Sequence, residues 1–596
     1  MRNFDFKKMV LPVILVALSM YCQHLQLLYS ASVSIKYCLT MDIRYLLLNM
    51  MISVIPFLLI LLISRNTVRS LLISSILVTV LSLINYHVFL FHGTPFLASD
   101  IYNIGTAFDV MAGYKPVFDS MVIRLLAIAF IEIIMMLIVR KMLKKNSSNI
   151  KRRVSGSVLA IDCIALWMIF FSGWTLFPNS LVSWSWAKPM AKYGYEVCFM
   201  NSIYCTNKKY NMIEGYDVEK LNKYLSEDST AEYSDSDARP DIILILNEAF
   251  SNLNYNSGIK EAQTVLEPID TIEGIISGHA VVPLIGGGTN CSEYELLTSN
   301  SMYEISSASP FAVLNLTDAS SIVSHLKSLG YASTAMHCYS EDNYARNTAY
   351  PDLGFDNVYL GNKYFTYNKH GNREWLDRDN YLDLLEYYKN AGDSPRFMYL
   401  LTFQNHGGYE QNDASYDTVK VTSDYGSLTD DVNEYLTSMK SCAESFEYLI
   451  DQLSQSDRPV IVLMMGDHAP SFISELPVSD KGTQSSIVQR TVPYYVWSNT
   501  DLDTDVFSET ATLTDLIPML LKSAHMPLTP YYQFIYDLHL SVPIRTSDGL
   551  YYDSNGTEIN LKSGSEYGDS IRDYYYMEYN NMVHGEDYIP ELFRNN

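Results

Sequence analysis

The sequence has few cysteines and, after its first 177 residues, few positive charges. Its 596 residues include 8 cysteines, and no two of these form a CxxC pair. So few cysteines in so long a chain exclude a disulfide framework, and the missing CxxC pair argues against a cysteine zinc site. The acidic second part of the chain argues against a nucleic-acid partner, because phosphate contacts need a basic surface.

Charge divides the chain near residue 177. Up to that residue, 16 Lys and Arg stand against 7 Asp and Glu, and after it 26 stand against 59. The formal charges of the two parts are therefore +9 and −33, which give the total of −24. We predict a membrane domain over residues 1–177, a juxtamembrane segment and linker over 178–240, and a folded domain over 241–596. The linker ends in the polar, acidic stretch EDSTAEYSDSDARP.

Five apolar stretches of membrane-spanning length lie in the first region. They cover residues 9–29, 44–64, 70–92, 121–139 and 156–176. Basic residues cluster before the first stretch, between the second and third, and between the fourth and fifth. Because basic loops stay on the cytoplasmic side, we expect a multi-pass cell-membrane protein with a cytoplasmic N-terminus. Five spans that start inside finish outside, so the acidic second half should be extracellular.

Five apolar runs in the second half each end in a polar residue suited to metal or phosphate chemistry. These residues are Glu248, Thr289, His337, His406, and Asp467 with His468. Such runs are typical of buried strands in a parallel sheet, and ligands bind beyond the carboxyl ends of those strands. Helical patterns alternate with the runs, so we predict an α/β domain with a mostly parallel central sheet and one shared pocket. The Tyr-rich last 50 residues, with an NG turn at Asn555, predict a small C-terminal subdomain with a hairpin and a helix.

Two of the motifs carry distinct chemistry. Glu248, Asp467 and His468 offer two carboxylates and an imidazole, which suit Mg²⁺, Mn²⁺ or Zn²⁺; an Asp-His pair in a simple turn is the alternative. Thr289 follows three glycines and opens a helical pattern, where backbone N–H groups favour a phosphate. The alternative, a plain N-cap, does not account for three consecutive glycines. A hydroxyl held at a divalent ion can ionise near neutral pH, so Thr289 is a candidate nucleophile.

A second set of residues could hold an anionic substrate. His337, Tyr344 and Arg346 fall within HCYSEDNYARN, and His406 falls within FQNHGGY. An Arg beside two histidines can bind a phosphate oxygen and stabilise charge in a transition state. For each histidine, a structural role at a strand end is the alternative.

The order of these motifs resembles the lipoteichoic acid synthase type of phosphoglycerol transferase, within the alkaline phosphatase and sulfatase-like superfamily. The matching features are a Glu after the first strand, Gly-Thr opening a helix with SEYELLTS, the His-x8-Arg segment, NHGGY and GDH. The resemblance covers both halves, because that family also has five spans and an external catalytic domain. It therefore implies an extracellular sulfatase-like catalytic domain.

The resemblance also implies a reaction. One divalent metal ion, Mn²⁺ or alternatively Mg²⁺, would be held by Glu248, Thr289, Asp467 and His468. Thr289 would attack the phosphodiester of phosphatidylglycerol, release diacylglycerol and carry the glycerophosphoryl group. An acceptor hydroxyl on a cell-surface glycolipid or a teichoic-acid-type polyglycerolphosphate polymer would complete the transfer. The residues implied to hold the head group are His337, Tyr344, Arg346 and His406.

Two positions depart from the pattern and leave alternatives open. Tyr344 stands where the synthases tend to have Trp, and Gly288 stands where they often have Lys, so the head group and polymerisation stay open. A phosphoethanolamine transferase acting on a surface glycan or lipid is one alternative. A sulfatase is disfavoured, because no C-x-P-x-R type motif lies near Thr289. An inactive surface scaffold predicts the loss of a metal ligand, and all four are present.

Overall fold

In the computed structural model, the described residues fall into two compact units, one up to residue 207 and the other from residue 208 to 596. The first unit is helical, and the second combines helices with a central sheet. The described residues are 6–31, 41–92, 95–101, 118–144, 187–207, 213, 215–225, 239–305, 309–341, 343–409, 416–479, 484–561, 567–583 and 586–594.

Long apolar helices dominate the first unit. Three of its helices, over Ile43–Ser64, Thr67–Phe89 and Ser120–Met142, are long and apolar enough to cross a membrane. They indicate a membrane anchor. The helices of this unit are α1 (Phe6–Ser30), α2 (Ile43–Ser64), α3 (Thr67–His92), α4 (Ser120–Lys144), α5 (Ala187–Tyr193) and α6 (Tyr195–Asn207).

The predicted count of five spans is not supported. The predicted stretches 44–64, 70–92 and 121–139 coincide with the three apolar helices. The stretch 9–29 falls on α1, which is not one of the three and which buries polar side chains, among them Gln23. The stretch 156–176 lies outside the described residues.

The described part of this unit buries hydrogen-bonded polar groups among apolar side chains and exposes an apolar exterior. Gln23 Nε2 donates to Glu132 Oε2 over 3.1 Å, and Ser74 Oγ donates to Gln23 Oε1 over 2.8 Å. All three side chains are buried, whereas Ile63 is 86% exposed and Phe130 is 63% exposed. Hydrogen-bonded polar groups between helices and apolar side chains facing outward are the arrangement expected in a bilayer.

The second unit alternates strands and helices along the chain. Its strands are β1 (Asp241–Asn247), β2 (Ile276–Val281), β3 (Ala332–His337), β4 (Asn357–Leu360), β5 (Lys369–His370), β6 (Arg373–Glu374), β7 (Arg396–Leu401), β8 (Val460–Gly466), β9 (Thr491–Ser498), β10 (Thr510–Thr512), β11 (Ile544–Arg545) and β12 (Tyr551–Tyr552). Its helices are α7 (Leu253–Ser257), α8 (Glu261–Asp270), α9 (Thr289–Thr298), α10 (Pro310–Val313), α11 (Ile322–Ser328), α12 (Arg346–Asp352), α13 (Asp377–Asn390), α14 (Thr429–Leu453), α15 (Ser485–Gln489), α16 (Leu516–Ser523), α17 (Pro530–Ser541) and α18 (Gly568–Met582).

Eight strands form one sheet in the order β10-β2-β9-β8-β1-β7-β3-β4. Strands β8, β1, β7, β3 and β4 run parallel, and β9 runs antiparallel to both β8 and β2. Because the direction reverses at β9 and again at β2, β2 runs the same way as β8. The carboxyl ends of β1, β2, β3, β7 and β8 therefore meet at one edge, where open α/β sheets bind ligands. The predicted mostly parallel sheet is confirmed.

Apolar packing fixes the position of that edge. All seven residues of β1 are buried, as are all seven of β8. Ile243 and Ile245 of β1 pack in one cluster with Leu266 of α8, Leu384 of α13 and Phe446 of α14. Burying a side chain of this size contributes about 1.5 to 3 kcal/mol, so the strand ends are firmly placed.

The C-terminal residues form small elements beside the sheet. Strands β11 and β12 pair antiparallel, and an isolated bridge joins Tyr552 to Glu558 across the turn that contains Asn555 and Gly556. Helix α18 follows. The NG turn and the terminal helix lie where the sequence predicts them, although the longer hairpin is the earlier one, between β11 and β12.

Candidate active site

The strand ends bring the predicted site residues to the same edge of the sheet. Each of the eight is buried or half-buried. Glu248 directly follows β1, Thr289 begins α9 after β2, His337 ends β3, His406 lies in the loop after β7, and Asp467 and His468 directly follow β8. Tyr344 and Arg346 come from the segment between β3 and β4.

Three of these side chains form a candidate metal centre. Ligand atoms of Glu248, Asp467 and His468 all lie within 4.8 Å of one another, and all three residues are buried. His468 Nε2 lies 3.6 Å from Glu248 Oε1 and 3.2 Å from Asp467 Oδ2. Two carboxylates and one imidazole are a donor set for a divalent cation.

The hydrogen bonds around Asp467 and His468 test whether this centre fits a cation. Asp467 Oδ1 accepts from the backbone N–H groups of Ala249 (2.7 Å) and His468 (2.8 Å). Its Oδ2 is buried and has no hydrogen-bond partner among the described residues. His468 Nδ1 donates to the Ala469 carbonyl over 2.8 Å, so in the neutral ring Nε2 presents a lone pair. Two lone pairs facing each other across 3.2 Å repel unless a cation lies between them, so the residues fit a divalent ion.

The backbones at the ends of β1 and β8 approach each other closely, which places Glu248 next to Asp467. A Cβ at Gly466 would lie 1.9 Å from the Phe250 carbonyl oxygen, so this position requires glycine. The Asp467 N–H donates to the Asn247 carbonyl over 3.2 Å. The ends of β1 and β8 are thereby joined, and Glu248 lies beside Asp467.

Thr289 is the first residue of α9, and Gly288 is its N-cap. The interpretation of Thr289 as a plain N-cap is therefore wrong. Gly286 (φ 70°) and Gly288 (φ 80°) both take the left-handed backbone conformation that favours glycine. A Cβ at Gly286 would also lie 2.8 Å from the Ser471 Cα, so the loop passes too close to the chain for a side chain.

The Thr289 side chain lies near the Glu248 carboxyl. Burial raises the pKa of the Glu248 carboxyl well above its usual range, and the charge of Asp467 raises it further. The charge of Arg346 and the Thr289 side chain act in the opposite direction and lower this pKa. A Glu in this position needs nearby positive charge to stay ionised, which agrees with a cation at the centre.

The two predicted substrate-binding histidines are neutral at neutral pH. Burial, followed by the charge of Arg346, lowers the pKa of His337 well below its usual range, and its Nδ1 lies 3.0 Å from the Leu401 carbonyl. Burial, followed by the charge of His468, lowers the pKa of His406 to about 4. The His406 ring stacks on Phe403 with ring centroids 4.7 Å apart. Neutral imidazoles of this kind pair with hydroxyl groups.

Arg346 is held by an acid that the sequence interpretation missed. Its Nε and Nη2 donate to Glu293 Oε2 over 2.9 and 2.7 Å, and both side chains are buried. The guanidinium lies 5.1 Å from the ring centre of Tyr344. Its charge acts on the pKa values of Glu248, His337 and His406, so the metal centre and the histidines share one pocket.

A second missed residue, Arg373, fixes the loop of the NHGGY motif. Its Nη1 donates to the His406 carbonyl over 2.8 Å, and its Nη2 donates to the Gly408 carbonyl over 3.3 Å. Its Nε pairs with the buried Glu434 over 3.2 Å. The sequence gives no signal for Arg373, since its partners are distant along the chain. Glu293 has one, because it lies one helical turn after Thr289 on the same face of α9.

The fold and this pocket agree with the comparison to known families. Residues 240–526 match the sulfatase family, so this part of the chain is a sulfatase-family domain. The resemblance drawn from the motifs is thereby confirmed at the level of the superfamily.

Two curated proteins match parts of the chain at 25 and 26% sequence identity. A "putative cyclic beta-1,2-glucan modification protein" of Rhizobium meliloti is 25% identical over 377 residues, which are 60% of this chain and 56% of that protein. The "capsular polysaccharide biosynthesis protein RkpI" of the same organism is 26% identical over 205 residues, 32% of this chain and 35% of that protein. The chain thus matches little more than half of the first relative's length and about a third of the second's.

A solved structure supports the fold. The "Streptococcus pyogenes phosphoglycerol transferase GacH in complex with sn-glycerol-1-phosphate" has a TM-score of 0.51 and is 19% identical. The match covers 65% of this chain and 99% of that one. At this identity, the likeness shows the fold alone.

Proposed function

We propose that this protein transfers a glycerophosphoryl group from phosphatidylglycerol to an acceptor hydroxyl at the extracellular cell surface, through a covalent intermediate on Thr289. The acceptor is a glycolipid or a glycan-bearing or teichoic-acid-type polymer. One observation carries the proposal: the buried Thr289 begins a helix beside the buried donor set of Glu248, Asp467 and His468.

The proposed cofactor is one divalent ion, Mn²⁺ or alternatively Mg²⁺. Glu248, Thr289, Asp467 and His468 would hold it. When bound, such an ion supplies positive charge that favours an ionised hydroxyl and offsets charge on phosphoryl oxygens. The N-terminus of α9 adds a positive field in which an anionic phosphoryl group is favoured.

The proposed reaction has two steps at the same phosphorus. Thr289 Oγ forms a bond to phosphorus, the bond from phosphorus to the diacylglycerol oxygen breaks, and diacylglycerol leaves with the proton that Thr289 loses. The acceptor oxygen then bonds to phosphorus and the bond to Thr289 Oγ breaks. The acceptor's proton returns to Thr289, so the enzyme ends each cycle unchanged.

The remaining residues of the pocket would hold the head group. The neutral rings of His337 and His406 can each accept or donate a hydrogen bond to a glycerol hydroxyl. Arg346, paired with Glu293, places a guanidinium near the phosphodiester, and Tyr344 packs against that guanidinium. The structural relative is described as a phosphoglycerol transferase, and the two curated relatives by name concern a cyclic beta-1,2-glucan and a capsular polysaccharide, which supports this donor and a glycan acceptor.

The donor is tested by following diacylglycerol. The purified full-length chain is supplied with Mn²⁺ and with phosphatidylcholine vesicles that contain either phosphatidylglycerol or phosphatidylethanolamine. We expect diacylglycerol from the phosphatidylglycerol vesicles alone, and we expect Thr289→Ala to release at least about a thousandfold less. Thr298→Ser, on the same helix, is the matched control and should keep the wild-type rate.

The other outcomes assign the protein elsewhere. Diacylglycerol from phosphatidylethanolamine alone would support a phosphoethanolamine transferase instead. Release that survives in Thr289→Ala would remove Thr289 as the nucleophile. No release from either lipid would contradict the donor assignment.

A further inference from the structure

Glu293 lies under the pocket at a position that neither the metal centre nor the head-group contacts explain. It is four residues after Thr289 in α9, so its side chain projects from the same face of the helix as the nucleophile. It is fully buried, and it pairs with the buried Arg346 over 2.7 Å. A buried pair of this kind costs desolvation energy, so its retention beside a reactive group calls for a function.

Four donors hold Glu293 as a carboxylate. Its Oε2 accepts from Nε and Nη2 of Arg346. Its Oε1 accepts from the hydroxyl of Tyr350 and, over 3.2 Å, from the hydroxyl of Tyr399. Burial raises the pKa of both tyrosines well above the usual range, so both hydroxyls keep their protons and donate. With every contact donating, Glu293 is the negative partner of this network.

The charges of the pocket are close to balance because of Glu293. The carboxylates are Glu248, Asp467 and Glu293, and they stand against the guanidinium of Arg346 and one divalent cation. Burial keeps His337 and His406 neutral at neutral pH by lowering the pKa of both. Without Glu293 the pocket would carry one more net positive charge, and two guanidinium N–H groups would be released to bind a phosphate oxygen.

We infer that Glu293, by neutralising Arg346, sets the preference of this site for phosphodiesters, which carry one negative charge, over phosphomonoesters, which carry two. The inference rests on the proposed phosphoryl transfer and deepens it. Glu293 touches neither the reacting atoms nor the metal ligands, so it is a positioning and charge-setting residue. Near neutral pH a phosphomonoester carries a second negative charge. A pocket whose charges balance attracts that second charge less strongly than a pocket with a net positive charge does.

The test compares two substrates that differ in charge. For the full-length chain in detergent with Mn²⁺, kcat/KM is measured for bis(4-nitrophenyl) phosphate and for 4-nitrophenyl phosphate. In Glu293→Gln we expect the ratio of diester to monoester activity to fall about tenfold or more. Glu293→Asp and Tyr350→Phe keep the carboxylate and should keep the wild-type ratio, whatever they do to the absolute rates.

A binding measurement separates this inference from the proposed function. Titration calorimetry on Thr289→Ala compares dimethyl phosphate, a monoanion, with inorganic phosphate, and repeats the comparison in Thr289→Ala combined with Glu293→Gln. We expect the second variant to gain affinity for inorganic phosphate relative to dimethyl phosphate. An unchanged ratio in both assays, or a Thr289→Ala chain that binds inorganic phosphate more tightly than dimethyl phosphate, would overturn the inference.

Two further outcomes are informative. If Glu293→Gln does not fold, calorimetry on Thr289→Ala alone decides: tighter binding of dimethyl phosphate would support the inference, and tighter binding of inorganic phosphate would overturn it. If the wild-type chain hydrolyses neither aryl ester, the proposed transfer is in doubt, while the calorimetric ratio still decides the role of Glu293.

Discussion

The two units of this chain are built with opposite polarity. In the described helices of the first unit, Gln23 and Glu132 are buried and bonded to each other, while Ile63 and Phe130 face outward. In the second unit, strands such as β1 are wholly buried and mostly apolar, and charged groups are buried mainly where other groups pair with them. The difference shows that each unit folds against its own solvent, lipid for the first and water for the second.

The same contrast explains where chemistry is located. The second unit buries Glu248, Asp467 and His468 together at the edge of the sheet, which is costly without a cation. The apolar packing beneath them supplies the stability that allows such a site. Three predictions would break or sharpen the comparison between the units, and they follow from the largest expected effect to the smallest.

The first substitution breaks a buried charge network in the second unit. Asp241 is fully buried and accepts from Nε (2.6 Å) and Nη2 (2.8 Å) of Arg458, and it also pairs with Arg396 over 3.2 Å. Asp241→Asn leaves two arginines without their carboxylate, and because both are partly exposed we expect a loss of about 3 to 4 kcal/mol. Chemical unfolding of the full chain in detergent measures it.

A matched control tests the role of burial in that result. Asp356 pairs with Lys327 over 2.7 Å, but the lysine is 52% exposed. Asp356→Asn should therefore cost less than about 1 kcal/mol. Equal losses at the two positions would contradict the claim that buried pairing stabilises this unit.

The second substitution places a charge on the outside of each unit. Ile131 of α4 is 51% exposed, and Leu382 of α13 is 43% exposed. Ile131→Lys faces lipid and should cost about 2.5 to 3.5 kcal/mol of insertion free energy, whereas Leu382→Lys faces water and should change stability by less than about 0.5 kcal/mol. Membrane-insertion assays and thermal unfolding compare the two. If Ile131→Lys inserts as well as the wild type, α4 does not face lipid.

The third prediction concerns pH and the acids buried in the second unit. Burial raises the pKa of Glu295 to about 8 and that of Glu304 to about 7. Since the folded state then binds protons that the unfolded state releases, stability is full below about pH 4.5 and falls as pH rises toward 8. We expect Glu295→Gln to remove on the order of 2 kcal/mol of this dependence. Unfolding curves of the wild type and of Glu295→Gln at pH 5 and pH 8 provide the measurement. If the free energy of unfolding changes equally with pH in both proteins, the prediction is wrong.

The sequence predicts the fold best where a strand ends on its functional residue. The run before Glu248, the run ending at His337 and the run before Asp467 became β1, β3 and β8 with nearly the expected bounds. Continuous apolar runs bounded by polar residues are strong evidence for buried strands, and the edge of a parallel sheet then brings their ends together.

Loop geometry was harder to predict. Strand β2 ends at Val281, so the apolar residues after it belong to the loop that leads to Thr289. The antiparallel direction of β9 was not predicted, because an apolar strand reads the same in either direction. The predicted span over residues 9–29 falls on α1, which is not among the three apolar helices of membrane-spanning length in the described residues.

Ion pairs between residues that are distant along the chain could not be predicted from the sequence. The ion pair of Glu293 with Arg346 joins residues that are 53 positions apart, and that of Arg373 with Glu434 joins residues 61 apart. Neither can be read from a local motif, because the contact depends on how helices and loops meet above the sheet. The helical spacing from Thr289 to Glu293 predicts a shared face, but not the arginine that reaches it.

The most direct test of the central claim is the mass of the peptide that contains Thr289. The full-length chain is incubated with Mn²⁺ and phosphatidylglycerol, without an acceptor, quenched in acid and digested. We predict a glycerophosphoryl group on Thr289 that is absent from Thr289→Ala and disappears when an acceptor is added. An unmodified Thr289 peptide, in a sample that has released diacylglycerol, with the adduct on another residue, would contradict the account.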